Sequence, residues 1–579
     1  MKIFVVGGYG TFGGRVVELL ENEARLTLVI AGRSLAKAEA YCASRGSTKA
    51  RLMAAQFDRN GDLVAQLTSI RPDILVDASG PFQAYGHDSY RVVEACIAQR
   101  IDYLDLADGS AFVAGVSAFD EVARSAGVAV LSGVSSFPVL TAAVVRRIAC
   151  GMARVESIRA GIAPSPHATV GANVIRAISS YAGQAIQIRQ NGKAATAHPF
   201  TEQLRITVAP PGAVPLRSTL FSLVDVPDLR ALPELWPEAR TVWIGAGPVP
   251  EILHRALITL AWLVRIKGLR SLSRLAPLIH LASNRLGWGE HRGGMFVAVE
   301  GHDAVGARVK RSWHMLAEGD DGPLIPAMAV EALVRKALDG HRPPDGARAA
   351  VSDLELDDYE ALFARRRIVA GVRDDSAADS GPLYARLLGT AWDSLSPELR
   401  DMHIVSGETA AEGSASIERG GGLLARLAAA LVGFPAAAAK IPVRVRFEAS
   451  NGRETWTRMF GDDCFSSRQF AGRGRSAGLL CERFGPLTFA MALVLEGARL
   501  KLILRRWSLW GMPLPMWLCP RSKSYEISED GRFHFHVEIS HALTGLIVRY
   551  RGWLAPVPRT SAAAVAGGGE QQAAPAPGL

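Results

Sequence analysis

Residues 1–135 are predicted to form a doubly wound α/β domain of the Rossmann type. Short apolar runs alternate there with helical stretches, a pattern typical of a parallel sheet covered by helices on both faces. The predicted strands are Lys2–Val6, Leu26–Ile30, Leu52–Phe57, Ile74–Asp77, Tyr103–Leu106 and Val128–Leu131. Helices are predicted between them at Gly13–Asn22, Ser34–Ser44 and Ser89–Gln99, with Ser34 as a suitable N-cap of the second.

The pattern changes after residue 135, and residues 136–371 are predicted to form a second, α+β domain. A helix at Leu140–Gly151 leads into longer strands, which we place at Ser157–Ala163, Gln203–Val208, Gly294–Val299 and Ala307–Ala317. The later helix Ala327–Leu338 has a register that suits packing back on the first domain. The polar run DDSAADSG then predicts a solvated linker over residues 372–381.

Residues 382–556 predict a separate β-rich module. Short helices are expected at Leu383–Leu388 and Leu423–Leu431. Five segments alternate apolar and polar residues as half-buried antiparallel strands do. They are Ile441–Phe447, Glu454–Phe460, Leu500–Trp507, Phe533–Ile539 and Leu546–Trp553. The remaining residues, 557–579, are rich in Ala, Gly, Pro and Gln, so we expect a disordered tail.

The composition excludes several classes of protein. In 579 residues, 49% are hydrophobic and 21% charged, which is enough apolar surface to fold and unlike a disordered chain. The net charge of +9 comes from arginines spread along the chain without a nucleic-acid-binding motif, so we expect no nucleic-acid partner. The sequence opens on a strand rather than a signal peptide, and its six cysteines form no close CxxC pair. These features predict a cytoplasmic protein.

A glycine-rich turn follows the first predicted strand. It reads Gly7-Gly8-Tyr9-Gly10-Thr11-Phe12-Gly13, a GxGxxG pattern that ends a strand and opens a helix. Gly8 suits a tight turn, Gly10 lets a pyrophosphate approach the backbone, and Gly13 allows the helix to pack closely on the strand. The helix N-terminus adds free N–H groups and a positive dipole. The turn therefore predicts a dinucleotide-binding site.

The end of the second predicted strand indicates which dinucleotide. An acidic residue about 20 positions after the last motif glycine would hold the ribose of NAD. This sequence has Arg33 there, followed by Ser34. A guanidinium and a hydroxyl suit a 2′-phosphate, which arginine binds through paired charge-assisted hydrogen bonds. We therefore expect NADP(H), the competing interpretation being that Arg33 is an ordinary surface arginine.

The carboxyl end of the fourth predicted strand is the expected place of the nicotinamide. Ser79-Gly80-Pro81-Phe82 follows that strand, at the edge where ligands of open α/β sheets bind. Candidate proton donors nearby are Tyr85, His87, Tyr103 and Asp105. Taken alone, each of these four side chains is more typical of a structural role, because tyrosines and aspartates at strand ends are common hydrogen-bonding scaffolds.

The motifs together resemble the saccharopine dehydrogenase-like oxidoreductases over about the first 370 residues. The resemblance is carried by Gly7–Gly13, Ala31–Ser34, Ser79–Phe82, Tyr103–Leu106 and Ser132–Pro138. It implies hydride transfer with NADP(H) by a Rossmann domain, followed by a substrate and dimerisation domain that can pair two chains as a homodimer. The substrate does not carry over, because that family ranges from amino-acid imines to lipid-linked molecules. Residues 382–556 resemble an uncharacterised bacterial domain fused to such reductases.

Two questions remain open. The chain is an oxidoreductase acting on a small-molecule or lipid-like substrate, or it is a sensor or scaffold that binds NADP(H) without turnover. The basic, apolar stretch 252–287 either contacts an anionic membrane surface or packs on its own domain. Its longest charge-free apolar run, Ala256–Val264, is about half the ~20 residues of a membrane span, so no span is expected.

Two features of the C-terminal module also allow two interpretations. His534, His536 and Glu538 share one face of a predicted strand; we expect a solvated face and no metal, although these residue types suit zinc or iron. The aromatic residues can line a cavity for an apolar ligand or fill the core of the module. They are Phe484, Phe489, Trp507, Trp510, Trp517 and Trp553.

Overall fold

A computed structural model describes residues 1–248, 250–285, 287–376 and 381–557. These residues form two compact units, one built mainly from residues 1–376 and the other mainly from residues 381–557. Residues 377–380 of the predicted linker and residues 558–579 of the predicted tail lie outside the described residues.

The first unit begins with a doubly wound α/β domain, as the sequence predicts. Its parallel strands lie in the order β15-β6-β5-β4-β1-β2-β3, numbered along the chain. They are β1 (Lys2–Val6), β2 (Thr27–Gly32), β3 (Arg51–Gln56), β4 (Ile74–Asp77), β5 (Asp102–Asp105), β6 (Ala129–Ser132) and β15 (Gly346–Ala349). Strands β1 to β6 each begin and end within two residues of the predicted strands.

Helices cover this sheet on both faces. They are α1 (Thr11–Leu20), α2 (Leu35–Ser44), α3 (Leu63–Ile70), α4 (Arg91–Ala98), α5 (Ser110–Gly115) and α6 (Asp120–Ala126). The predicted cap of α2 is present, because the Ser34 hydroxyl accepts the N–H of Lys37 at 3.4 Å. Asp62 caps α3 in the same way, accepting the N–H of Ala65 at 3.0 Å.

The chain returns to this sheet after building a second one. Helix α12 (Ile325–Leu338) packs against α1, and the short strand β15 then adds to the free edge of β6. Nine residues of α12 are buried, so it is a core helix with little exposed surface. The sequence pattern suggests the return of α12, but it gives no sign of β15.

The second sheet of the first unit is mostly antiparallel, in the order β10-β11-β12-β7-β13-β14-β16. Its strands are β7 (Met152–Ala163), β10 (Gln203–Ile206), β11 (Thr219–Leu223), β12 (Thr241–Ala246), β13 (Arg292–Asp303), β14 (Arg308–Glu318) and β16 (Ile368–Asp374); β8 (Ile186–Gln190) and β9 (Lys193–Ala197) form a separate hairpin. The remaining helices are α7 (Thr141–Ile148), α8 (Ala172–Tyr181), α9 (Asp228–Leu235), α10 (Glu251–Arg265), α11 (Ala276–Arg285) and α13 (Leu356–Phe363). Residues 372–374, placed in the predicted linker, instead pair with β14 as the end of β16.

The second unit is an antiparallel barrel. Within the described residues, ten strands follow one another as β22-β21-β20-β19-β18-β17-β27-β26-β25-β23, and pairing of β22 with β23 closes the ring. The strands are β17 (Glu408–Arg419), β18 (Ala438–Ser450), β19 (Arg453–Phe460), β20 (Asp463–Ala471), β21 (Leu480–Phe484), β22 (Leu487–Glu496), β23 (Arg499–Leu509), β24 (Met512–Pro513), β25 (Arg521–Glu529), β26 (Arg532–His541) and β27 (Gly545–Pro556). Its helices are α14 (Leu383–Leu388), α15 (Pro397–His403) and α16 (Leu423–Val432). The predicted β-rich module is confirmed. The sequence analysis did not predict that its strands close into a ring.

Among the described helices, none combines the length and the hydropathy required to cross a membrane.

Candidate functional site

A pocket of about 520 Å³ lies in the first unit, where β1, β2, β3 and β4 reach their carboxyl ends. The glycine turn after β1 forms one wall, and the segments that follow β2, β3 and β4 form others. Residues 171–174, at the N-terminus of α8, complete the lining. The pocket is therefore at the edge where open α/β sheets bind their ligands.

Close backbone contacts explain three glycines of the turn. Gly7 has a φ of +74°, a left-handed conformation that favours glycine. A Cβ at Gly13 would lie 2.2 Å from the carbonyl oxygen of Gly7, so only a glycine lets α1 approach the turn this closely. Gly8 is confined as well, since a Cβ there would lie 2.8 Å from the carbonyl oxygen of Val5, so the turn requires glycine at both Gly7 and Gly8.

The first turn of α1 faces the pocket with its backbone donors. Gly10 is the N-cap residue, and no side chain caps the helix. Thr11 and Phe12, the first helical residues, both line the pocket. The N–H groups at a helix start lack intrahelical partners and carry partial positive charge. This end of α1 is consequently suited to an anion.

Tyr9 positions the segment that carries Arg33. Its hydroxyl accepts the backbone N–H of Ser34 at 3.2 Å, and its ring packs directly on Gly32, where a Cβ would meet the hydroxyl at 2.5 Å. Arg33 is exposed and lines the pocket. Within the described residues its guanidinium has no ion pair or hydrogen bond, so this cation is available to a ligand. Ser34 does not line the pocket; its hydroxyl caps α2.

A chain of three hydrogen-bonded side chains begins at the end of β4. The Ser79 hydroxyl donates to Asp77 Oδ1 at 2.6 Å and lies 2.7 Å from the Tyr85 hydroxyl. Because the single proton of Ser79 goes to Asp77, Tyr85 donates in the second bond. Ser79, Gly80 and Tyr85 line the pocket. Tyr85 is thus the predicted proton donor that the structure brings to the nucleotide-binding edge.

Burial raises the pKa of both ionisable side chains in this hydrogen-bonded group, Asp77 and Tyr85. Asp77 is 2% exposed, and burial raises the pKa of its carboxyl, an effect that the N–H and hydroxyl of Ser79 oppose. Burial also raises the pKa of Tyr85 well above its usual value, and the Asp77 carboxylate adds to that increase. Tyr85 is consequently a protonated phenol at neutral pH.

Two further contacts at the pocket are absent from the sequence-based prediction. The guanidinium of Arg59 lies over the Tyr85 ring, 3.3 Å from its centroid. Asn173, at the start of α8, donates from Nδ2 to the carbonyl of Gly80 at 2.7 Å. Arg59 and Asn173 both line the pocket. Arg59 follows β3, so it could have been predicted in the same way as the residues after β1, β2 and β4, because ligands bind at the carboxyl ends of parallel strands. Asn173 is distant in sequence from these strand ends, and no local sequence pattern indicates it.

Other predicted site residues lie outside the pocket lining. Phe82 is 5% exposed and packs between Tyr85 and Phe112, and Pro81 also does not line the pocket. Tyr103 is 1% exposed, inside the hydrophobic core beneath the sheet. The side chain of His87 lies outside the described part of the structure.

Asp105 has a structural position. It is fully buried, and its Oδ1 accepts the backbone N–H groups of Ala107 at 2.9 Å and Gly133 at 2.8 Å. Burial raises the pKa of this carboxyl to about 7, while the two N–H donors lower it in part. The side chain thus joins the loops after β5 and β6 and does not reach the pocket.

His534, His536 and Glu538 lie on β26 of the barrel, and each is partly buried. On β26, Glu538 pairs with Arg549 at 2.8 Å, and His536 stacks on Tyr525. Across the described ranges, no three His, Cys, Asp or Glu side chains are grouped so that they could hold a metal ion.

The sheet, the glycine turn and the pocket define a Rossmann-type nucleotide-binding domain. Residues 3–131 match the family model described as the saccharopine dehydrogenase NADP binding domain. Residues 395–554 match a second model, described as a domain of unknown function (DUF4166). The chain thus combines a saccharopine dehydrogenase-type nucleotide-binding domain with a C-terminal domain of that second family, as the sequence motifs suggest.

Three solved dehydrogenase structures are similar to part of this chain. Saccharopine dehydrogenase (L-Glu forming) from Saccharomyces cerevisiae is 14% identical, with 64% of this chain and 99% of that chain covered and a TM-score of 0.46. A probable dehydrogenase from Thermotoga maritima is 11% identical, with 64% and 98% covered and a TM-score of 0.31. A mutant meso-dapdh from Clostridium tetani E88 is 12% identical, with 63% and 98% covered and a TM-score of 0.32. A search of curated proteins found no match. At such scores these similarities identify neither substrate nor reaction.

Proposed function

We propose that the first unit is an NADP(H)-dependent oxidoreductase that transfers hydride to or from a carbonyl or imine carbon. The observation that carries the proposal is the Asp77–Ser79–Tyr85 chain, which brings a protonated phenol into the same pocket as the glycine turn. A nucleotide-binding domain of the saccharopine dehydrogenase type supports the choice of cofactor.

The residues of the pocket fit NADP(H). A volume of about 520 Å³ lies within the roughly 300–1,000 Å³ usual for ligand sites. The N–H groups at the start of α1, which no side chain caps, would hold the pyrophosphate. Arg33, exposed and free of protein partners among the described residues, would pair with the 2′-phosphate. The Ser34 hydroxyl caps α2 and its N–H donates to the Tyr9 hydroxyl, so neither group is left for the phosphate.

Tyr85 would move the proton that accompanies the hydride. When bound, NADPH supplies the hydride to the substrate carbon. The Tyr85 hydroxyl, held by Ser79, would then donate its proton to the substrate oxygen or nitrogen, and the phenolate would take up a proton from solvent after the product leaves. The guanidinium of Arg59 over the ring would stabilise the negative charge on Tyr85 during this transfer. Oxidation would use the same groups in reverse.

Isotope transfer tests this proposal. Purified protein is incubated with NADPH deuterated at C4 of the nicotinamide and with a panel of aldehydes, ketones and imines of 2-oxo acids. We expect deuterium in one class of product and its loss in Tyr85→Phe, because the phenylalanine keeps the ring contact but has no proton to give. Tyr90→Phe is the matched control: Tyr90 donates to the carbonyl of Phe112 at 2.8 Å and does not line the pocket.

The same experiment tests the alternative that the protein binds NADP(H) as a sensor or scaffold and catalyses no reaction. A sensor or scaffold would bind NADPH and transfer no deuterium to any member of the panel. Full turnover by Tyr85→Phe would leave hydride transfer standing and remove Tyr85 as its proton donor.

The first unit also carries a surface suited to peripheral membrane contact. Helices α10 and α11 and the loop after them expose large apolar side chains. Among these are Ile252 (70% exposed), Ile266 (66%), Leu278 (64%) and Trp288 (77%). Exposed cations accompany them, namely Lys267, Arg270, Arg274 and Arg285. Apolar side chains between cations are typical of surfaces that insert into anionic lipid headgroups.

Vesicle sedimentation tests this contact. We expect the protein to pellet with phosphatidylglycerol vesicles at low salt and less with phosphatidylcholine vesicles. The double variant Ile266→Ser/Leu278→Ser should stay in the supernatant. Val305→Ser, at a residue 87% exposed in the turn between β13 and β14, should behave as wild type. Equal absence of the wild type from both pellets would contradict the proposal.

A further inference from the structure

The barrel of the second unit encloses a cavity of about 300 Å³. Its lining is mostly apolar and comes from inward-facing residues around the ring, including Phe460, Phe489, Trp507 and Phe533. An engineered apolar cavity of about 150 Å³ binds benzene, and protein interiors otherwise have few voids larger than a water molecule. The space therefore has room for about twice the bulk of benzene, on the order of a dozen non-hydrogen atoms.

Two buried polar atoms of the lining have no hydrogen-bond partner in the described chain. They are the hydroxyl of Tyr384, which is 0% exposed, and Oε1 of Gln469, which is 1% exposed. The Nε2 of Gln469 is already used, since it donates to Glu482 Oε1 at 3.2 Å. Leaving such a group unpaired is unfavourable, so both atoms are suited to a ligand that supplies the missing bonds.

The charges of the lining are paired within the barrel. Arg458, Glu482 and Glu526 are the charged residues of the described chain that line it. Arg458 Nη2 lies 3.0 Å from Glu482 Oε1, which also accepts from the Ser467 hydroxyl at 2.6 Å. Glu526 Oε2 lies 2.7 Å from Nε2 of the buried His403. With one cation already paired and two carboxylates present, an anionic ligand would be repelled and would lack a partner charge.

One end of the barrel offers a route to the cavity. The lining residues Leu487, Trp507 and Pro520 lie at strand ends on that side. The adjoining turns expose large apolar side chains: Trp510 is 71%, Trp517 77% and Leu543 77% exposed. This rim is therefore the end of the barrel at which we expect an apolar molecule to enter.

We propose that the barrel binds, in its interior, an uncharged apolar molecule of about a dozen non-hydrogen atoms that carries a hydroxyl group. The amide oxygen of Gln469 only accepts, so its partner must be a donor, which excludes a ligand whose only polar group is a carbonyl. A hydroxyl meets that requirement, and a hydroxyl oxygen is also an acceptor of the kind that the Tyr384 phenol lacks. This site is separate from the nucleotide pocket and does not depend on the proposed reaction.

Calorimetric titration of the full chain tests the proposal with three probes that share a naphthalene ring. These are 1-naphthol, 1-methylnaphthalene and 1-naphthoate, which differ in having a hydroxyl, a methyl or a carboxylate group. We expect one 1-naphthol per chain, bound about tenfold more tightly than 1-methylnaphthalene, as one well-made hydrogen bond would give. The carboxylate should bind most weakly of the three. Tighter binding of 1-naphthoate, or no binding of 1-naphthol, would overturn the proposal.

Variants locate the bound probe. The double variant Tyr384→Phe/Gln469→Leu should bind 1-naphthol and 1-methylnaphthalene equally, because both unpartnered atoms are gone while the apolar walls remain. Val445→Phe, which fills part of the cavity, should weaken all binding at least tenfold. Ser466→Phe is the control, on the exposed face of β20. Unchanged 1-naphthol binding in the double variant, with circular dichroism as in wild type, would place the probe elsewhere and contradict the inference.

Discussion

The guanidinium of Arg59 lies 3.3 Å from the centroid of the Tyr85 ring, and its Nη2 donates to the carbonyl of Ser89 at 3.2 Å. Arg59 follows β3, whereas Tyr85 and Ser89 follow β4. One cation thus connects the loops after two neighbouring strands, and both loops form walls of the nucleotide pocket.

This relationship predicts that Arg59→Gln destabilises the first unit. A partly buried cation–π contact and one hydrogen bond are lost, which should lower the free energy of unfolding by about 1–2 kcal/mol. Thermal unfolding with and without NADPH measures the effect. Arg51→Gln, at an exposed residue that begins β3, is the control and should change stability by less than about 0.5 kcal/mol. Equal melting of the two variants would show that the ring contact contributes nothing.

A second prediction concerns cofactor choice at Arg33. Arg33→Ala should weaken NADPH binding by about 10- to 100-fold, the loss expected for hydrogen bonds to a charged group. NADH binding should not change, since NADH has no 2′-phosphate. Fluorescence titration with both nucleotides gives the ratio, and Arg51→Ala should preserve it. Equal affinity of the wild type for NADPH and NADH would reject the NADP(H) assignment.

Gly13 and Gly14 provide a matched pair within α1. Either change to alanine gains about 1 kcal/mol of helix propensity. A Cβ at Gly13 meets only backbone within 2.8 Å, whereas a Cβ at Gly14 meets the Tyr41 hydroxyl at 3.2 Å, which a side chain can relieve. We expect Gly13→Ala to abolish nucleotide binding and lower the melting temperature, and Gly14→Ala to keep both near wild type. Normal NADPH affinity in Gly13→Ala would show that α1 can shift without cost.

The buried carboxyl of Asp105 predicts a pH dependence of stability. Its pKa is about 7 in the folded chain and about 4 when unfolded. Between these values the folded chain holds more protons, so the wild type loses stability as pH rises from about 4 to 7. Asp105→Asn keeps an acceptor for the N–H groups of Ala107 and Gly133 but cannot ionise.

Urea unfolding of wild type and Asp105→Asn at several pH values measures this effect. The advantage of the variant should grow between pH 5 and pH 8 by an amount on the order of 3 kcal/mol, from about two pH units at 1.36 kcal/mol each. Above pH 8 the difference should be constant. A difference that stays constant from pH 5 to pH 8 would mean that Asp105 is ionised in the folded chain throughout this range.

The barrel gives a fifth prediction through its buried ion pair. The side chains of Arg458 and Glu482 are 13% and 10% exposed. Arg458→Met should lower the free energy of unfolding by about 3–5 kcal/mol, because the Glu482 carboxylate would remain buried without its partner charge. The double variant Arg458→Met/Glu482→Gln should recover most of the loss. Denaturant unfolding completes this double-mutant cycle, and additive losses would contradict a direct pairing.

Local sequence patterns were sufficient to predict which strand ends come together at the pocket. The glycine turn, Arg33, Ser79 and Tyr85 each follow a strand of a parallel sheet, and parallel strands bring their carboxyl ends together. Tyr103 and Asp105 satisfied the same rule but lie inside the core, because the alternation of a strand fully buried on both faces does not show which way its side chains point. Asn173 reaches Gly80 across a gap in sequence that no local pattern spans.

The barrel was predictable as strands but not as a closed ring. Alternating residues in Phe533–Ile539 identify a half-buried strand, yet they do not specify which other strand pairs with it. Closure depends on register between β22 and β23, for example Leu493 opposite Leu502, and such cross-strand pairs leave no short-range signal. The cavity depends on this closure. The sequence alone therefore did not show whether the aromatic residues fill the core of the module or line a ligand site.

Strand β15 has a consequence for synthesis of the protein. The sheet that begins at Lys2 receives its last strand only at Gly346, well over two hundred residues after Ser132 ends β6. At about 5–20 residues per second, the ribosome needs roughly 10–40 seconds to cover that interval. During this time the nascent chain carries β6 as an unpaired edge, which is the kind of surface that other chains can bind. The nucleotide-binding sheet is therefore completed late, and chaperone protection would matter most while the second sheet is still being translated.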